Sequence, residues 1–86
     1  MKNIYNKLIE KTVSNLTTKD LETFAKKNNL SYTNDELIII YQFIKYNYKE
    51  LLNQNIKVFE KIKDKINPNL YKKLLVLYIE YKQKYL

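Results

Sequence analysis

Several residue types that carry common protein chemistry are missing from this sequence. Its 86 residues include no cysteine, no histidine and no glycine. The first two absences exclude disulfide bonds, zinc sites built from Cys and His, thiol nucleophiles and the imidazole general base. The third excludes the glycine-rich loops that bind phosphate groups. We therefore expect a protein that is not an enzyme and that uses no cofactor or metal.

Arginine is also absent, so all sixteen basic residues are lysines. With nine acidic residues the net charge is +7, and a chain of this charge attracts polyanions. Arginine, however, supplies the bidentate contacts that read guanine and clamp phosphate. Lysine, asparagine, isoleucine and tyrosine all have A/T-rich codons, so an A/T-rich genome produces this composition whatever the function. The charge therefore has two interpretations, codon bias and a polyanion-binding surface.

Long apolar stretches are missing as well. The longest uninterrupted ones, residues 37–41 and 74–79, are far shorter than the ~20 residues that span a bilayer. The start, MKNIYNKLIEKTV, has a polar residue every few positions and lacks the apolar run of a signal peptide. We expect a cytoplasmic protein that does not enter a membrane. Its length, with 45% hydrophobic and 29% charged residues, indicates a single helical domain over 1–86.

Helix start signals recur along the chain and predict an all-α fold, a compact bundle of about five helices built from αα-hairpins. Apolar residues at helical spacing predict a first helix over 2–13. Thr17 with Asp20, and Thr33 with Glu36, have the spacing of capping boxes and predict the next two helices.

The third predicted helix carries apolar residues on two faces, which indicates the central helix of the bundle. We expect Ile40 and Ile44 of this helix, together with Phe59, in the core. Asn47 is the first turn signal after the capping box and predicts a break in the helix, so the conformation of residues 46–54 stays open.

Two further helices are predicted in the second half of the chain. Apolar residues at 56, 59, 62 and 66 mark the fourth, with lysines at i+4 spacing on its outer face. Pro68, the only proline, suits the first position of the fifth, with Asn67 as its N-cap. Because residues 74–79 are apolar all round, this helix either lies in a groove between the others or presents a surplus stripe to a partner.

The stretch LTTKDLETFAKKNNLSYTNDEL, the turn signal YNY and the stretch KIKDKINPNLYKKLLVLY together resemble a short all-helical domain-of-unknown-function family of low-GC Gram-positive bacteria. The shared features are a Leu-Thr start with Asp/Glu-Leu behind it, an Ala-Lys segment, a second Thr-capped helix and a late proline. The resemblance covers roughly residues 10–82, and the chain departs from it at Lys45–Tyr46, where the family pattern has a glycine. It implies an all-α fold and brings no activity, cofactor or site residue.

Two functions fit these features. The first is protein–protein interaction or self-association through the surplus apolar surface of the last helix. Its expected contact residues are Leu75, Leu77, Ile79 and Tyr85. The alternative is sequence-tolerant binding of nucleic acid or the ribosome through a lysine-rich surface. Its expected contact residues are Lys57, Lys61 and Lys65. We favour the first because the lysines are spread along the chain and arginine is absent.

Overall fold

The two capping boxes predicted from the sequence are present, and each starts a helix. The computed structural model describes residues 10–53 and 55–85, in which helix α1 spans Thr18–Lys27 and helix α2 spans Asn34–Leu52. At each start the threonine hydroxyl accepts the N–H of the acidic residue three positions later. That residue's carboxylate in turn accepts the threonine N–H. The boxes thus satisfy N–H groups that a helix start leaves unpaired.

Asparagine ends α1 in the role that glycine usually has. Asn29 has φ 56°, in the left-handed region. Its N–H donates to the Lys26 carbonyl at 3.2 Å, and the Leu30 N–H donates to the Ala25 carbonyl at 2.9 Å. This is the Schellman pattern of a helix end. Asparagine tolerates this backbone conformation better than most residues, so a chain without glycine can still turn sharply here.

Asn47 does not interrupt α2, and the predicted break is wrong. Its side-chain amide donates to the Phe43 carbonyl one turn earlier at 2.9 Å, and its oxygen accepts from Lys61 Nζ at 2.8 Å. With both ends of the amide engaged, the side chain does not compete for the helix backbone. The helix continues to Leu52, and Lys45–Tyr46 lie inside it rather than in a connection.

The fourth predicted helix is present as a 3₁₀-helix over Ile56–Lys61, followed by turns at residues 62–65. Helix α3, the fifth predicted one, spans Pro68–Tyr85. Its predicted cap is confirmed, since the Asn69 N–H donates to the Asn67 side-chain oxygen at 2.8 Å. Of the predicted first helix, residues 10–13 are helical, as is residue 14, and residues 2–9 lie outside the described part.

None of the described residues lies in a strand, and the all-α class is confirmed. The core forms where α1, α2, the 3₁₀-helix with the turns that follow it, and the first turn of α3 meet. Its buried members are Leu21, Leu37, Ile40, Phe43, Val58, Phe59, Ile62, Ile66 and Leu70. The predicted core residues Ile40 and Phe59 are among them, whereas Ile44 is only half-buried. Aromatic rings continue the packing from α2 to α3, with ring centroids 5.2 Å apart for Phe43–Phe59 and 5.1 Å apart for Phe59–Tyr78.

Two hydrogen bonds fix α3 beside α2. At the helix starts the Asn67 N–H donates to Glu36 Oε2 at 2.6 Å. Further along, the Tyr78 hydroxyl donates to the Leu51 carbonyl. Because the first bond joins the two helix starts and the second joins residues further along both helices, the two helices run in the same direction.

Candidate functional site

An open apolar groove of about 470 Å³ runs along α2, between α3 on one side and the N-terminal residues on the other. The residues of α2 that line it include Ile40, Ile44, Tyr48 and Leu51. From α3 it receives Leu74, Leu77, Tyr78 and Tyr81. Val13 and Phe24 close the opposite side. We call this set the apolar groove.

Side chains of α2 hold the N-terminal wall in place. The Tyr41 hydroxyl donates to the Leu16 carbonyl at 3.1 Å, and Lys45 Nζ donates to the Ser14 carbonyl at 3.0 Å. One turn later the Tyr48 hydroxyl donates to a Glu10 carboxylate oxygen at 3.3 Å. Because the numbering falls on one segment as it rises on the other, residues 10–16 run antiparallel to α2.

The α3 wall is fixed by Tyr78, which is half-buried and packs on Phe59. Its hydroxyl satisfies the Leu51 carbonyl, one of the carbonyls that a helix end leaves without a partner. Burial raises the pKa of the Tyr78 phenol above its ordinary value. Both walls are thereby tied to α2 by hydrogen bonds, and the groove is a fixed feature of the fold.

The lining of the groove is mostly apolar. Apart from tyrosine hydroxyls, the polar side chains that line it are Thr12, Glu80 and Lys84. The volume lies within the ~300–1,000 Å³ typical of ligand sites, and such sites are mostly apolar.

Of the four residues predicted to contact a protein partner, the structure describes three side chains and places them differently. Leu77 lines the groove, whereas Leu75 is half-buried against the core. Ile79 is 38% exposed on α3 and does not line the groove, and the side chain of Tyr85 lies outside the described part. The apolar run at 74–79 therefore serves the core, the groove and the outer surface at once.

Sequence reasoning missed the α2 side of the groove. A spacing of three or four residues links Ile40, Ile44, Tyr48 and Leu51, and this is the period of one helix face. These residues lie on both sides of Asn47, so a helix that breaks at Asn47 would not bring them onto one face.

The three lysines predicted to bind a polyanion are exposed but do not line one face. A 3₁₀-helix has three residues per turn, so residues four apart diverge by about 120° around its axis. Lys57 and Lys61 belong to this helix, while Lys65 lies in the turns that follow. Lys61 also contacts α2, with Nζ 2.8 Å from the Asn47 oxygen and 3.9 Å from a Glu50 carboxylate oxygen.

A second, polar cleft of about 380 Å³ lies at the starts of α2 and α3, around Glu36. Glu36 Oε1 accepts the Thr33 N–H at 2.9 Å, and Oε2 accepts the Asn67 N–H. These N–H groups, that of Asn67 first, hold the pKa of Glu36 below its ordinary value. Because the carboxylate already occupies the place where a helix start would bind an anion, we assign this cleft a structural role.

In the described part of the chain, no three acidic side chains come close enough together to hold a metal ion. Within residues 10–53 and 55–85, no helix has both the length and the apolar character that crossing a membrane requires. Comparison of the chain with protein-family models, with curated proteins and with solved structures finds no match.

Proposed function

We propose that this protein is a non-enzymatic cytoplasmic module that binds another protein by accepting apolar side chains in the apolar groove. The observation that carries the proposal is the open groove itself, with a lining that is apolar almost throughout. Apolar surface left in water costs about 25 cal/mol per Å² relative to its burial. A partner that fills the groove recovers this free energy, and this is the dominant favourable term in most protein association.

The composition of the groove also suits a protein partner. Its rim carries aromatic residues, with Phe24 44% exposed and Tyr81 40% exposed. Aromatic side chains are enriched where proteins meet, because they bury a large area with few rotatable bonds. The walls are helical and held by hydrogen bonds, so little ordering is required when a partner binds.

The test is an NMR titration of the labelled protein with a synthetic helical peptide that carries leucine at i, i+3, i+4 and i+7 and glutamine elsewhere. We expect chemical-shift changes to concentrate on groove residues of α2 and α3. Leu77→Asp should abolish binding, because it places a charge in the groove. The matched control is Val76→Asp on the same helix, since Val76 is 53% exposed and does not line the groove.

Circular dichroism establishes that each variant folds. If Leu77→Asp does not fold, Phe24→Asp replaces it, with Ile38→Asp as its control. Both of these side chains are exposed, and only Phe24 lines the groove. Shift changes centred away from the groove, or equal loss of binding in the groove variant and its control, would overturn the proposal.

A further inference from the structure

We infer that the occupant of the apolar groove is an acidic amphipathic α-helix of a different protein, and not a second copy of this chain. This inference rests on the proposed function. It adds that the partner segment is helical, that it is acidic and that it belongs to a different protein.

The backbone around the groove favours a helical occupant. The groove is lined by side chains of helices, whose backbone N–H and C=O groups are paired within the helices. An extended peptide would find no free strand edge to pair with and would leave its own backbone groups unpaired against apolar surface. A helix satisfies its backbone internally and offers only its side chains. The α2 residues that line the groove span positions 40 to 52, about 18 Å at 1.5 Å per residue, which matches three turns of a partner helix.

A second copy does not offer such a helix from its described residues. Outside the groove, the exposed large apolar side chains there are Ile38, Tyr46, Ile56, Val76 and Ile79. Only Val76 and Ile79 follow each other at helical spacing on one face, and Lys72 and Gln83 occupy the positions four before and four beyond them. Two anchors fall short of the i, i+3, i+4 and i+7 set that a helix presents to a groove.

Charge argues in the same direction. The chain carries +7, so two copies repel each other, whereas an acidic partner is attracted and oriented. At the groove the last turn of α3 is basic, with Lys82 and Lys84, and Lys84 lines the groove beside Glu80. An acidic residue on the outer flank of the partner helix would meet Lys84 at this end.

The experiment compares three synthetic helical peptides with identical leucine anchors, whose outer positions are all Glu, all Gln or all Lys. Binding to the intact protein is measured by fluorescence anisotropy at low and at physiological salt. We expect affinity in the order Glu, Gln, Lys, with a difference of about tenfold or more between the extremes at low salt that narrows as salt is added. The mass of the free protein in solution, measured by light scattering, should be that of a monomer.

A matched pair of variants locates the charge effect. Lys84→Glu should remove most of the preference for the Glu peptide. Lys72→Glu changes the net charge equally on the same helix, at an exposed position outside the groove, and should retain the preference. Equal loss in both variants would overturn the assignment to the groove rim.

The failures of the two proposals are distinguishable. If all three peptides bind equally, the acidic partner is wrong and the proposed function stands. A dimer that Leu77→Asp converts to a monomer would identify a second copy as the occupant, and would overturn this inference while leaving protein binding in place. If no peptide binds and the protein is monomeric, both proposals are wrong.

Discussion

Glu36 joins the starts of α2 and α3, and replacing it with glutamine tests how these helices are held together. The carboxylate accepts the Thr33 N–H at 2.9 Å and the Asn67 N–H at 2.6 Å. Glutamine offers one oxygen and one NH₂ group, so one of the two backbone donors would face another donor. A hydrogen bond to a charged group contributes about 1.5–3 kcal/mol, but these two bonds lie at the surface, where water replaces a lost acceptor. We therefore expect Glu36→Gln to lower the free energy of unfolding by about 1–2 kcal/mol at neutral pH.

The same two hydrogen bonds make the stability lost in Glu36→Gln depend on pH. The pKa of Glu36 is lowered from its ordinary value of 4.5, chiefly by the Asn67 N–H and then by that of Thr33. When the folded pKa lies below the unfolded one, the stabilisation is complete above the unfolded pKa and is lost as the pH falls through the folded pKa. The gap between wild type and Glu36→Gln, measured from urea midpoints, should therefore be constant above about pH 6 and shrink as the pH falls below about 4.

Asp35→Asn is the control for this experiment. Asp35 lies in the same first turn of α2 and is exposed, so the variant removes the same charge from the same helix start. Its expected cost is about 0.5 kcal/mol, from the helix dipole alone. Equal losses for the two variants at neutral pH, or a Glu36→Gln gap that persists unchanged at about pH 3, would refute the role given to the two N–H bonds.

Three further predictions concern the cap, the core and the lysines. Thr33→Ala should lower the free energy of unfolding by about 1 kcal/mol, because the Glu36 N–H loses its acceptor, and an unchanged urea midpoint would contradict this. Ile40→Ala removes a side chain that is 5% exposed and should cost about 2–5 kcal/mol; a melting temperature equal to that of wild type would place Ile40 outside the core. Replacing Lys57, Lys61 and Lys65 together with glutamine should leave binding of the uncharged Gln peptide unchanged and cost no more than about 1 kcal/mol, from the contacts of Lys61. Oligonucleotide binding at physiological salt that disappears in this triple variant would favour the nucleic-acid alternative.

The helix boundaries that the sequence predicts correctly are those set by neighbouring residues. The bonds of the Thr17 and Thr33 boxes, like the cap at Asn67, span no more than three positions. The bonds that end α1 at Asn29 are nearly as local, since they span three and five positions. Patterns of this range are fully contained in a short stretch of sequence, and for this reason they predict the structure.

The course of the chain around Asn47 depends on a distant residue and could not be predicted locally. Asparagine favours turns when its side chain competes with the helix backbone. Here Lys61, fourteen positions later, takes the amide oxygen, and the amide nitrogen returns to the Phe43 carbonyl. Ile56–Lys61 is ambiguous for a different reason, because its apolar residues three apart fit a 3₁₀-helix as well as an α-helix. The two helix types point the lysines of this segment in different directions, although both bury the same apolar residues.

The wrong prediction of a helix break at Asn47 also limits what the sequence predicts about the apolar groove. The apolar run of the last helix predicts Leu77 as a contact residue. Tyr48 and Leu51 lie beyond Asn47, so they belong to the groove only because α2 is continuous. The walls then depend on two tyrosine hydroxyls that bond carbonyls 25 and 27 positions away in the chain, Tyr41 to Leu16 and Tyr78 to Leu51. A buried tyrosine hydroxyl requires such a partner, but the spacing of apolar residues does not say which carbonyl supplies it. The same two bonds give a reason for tyrosine rather than phenylalanine at positions 41 and 78. A phenylalanine at either position would fill the same space, yet it would leave the carbonyl unpaired and the wall without its hydrogen bond to α2.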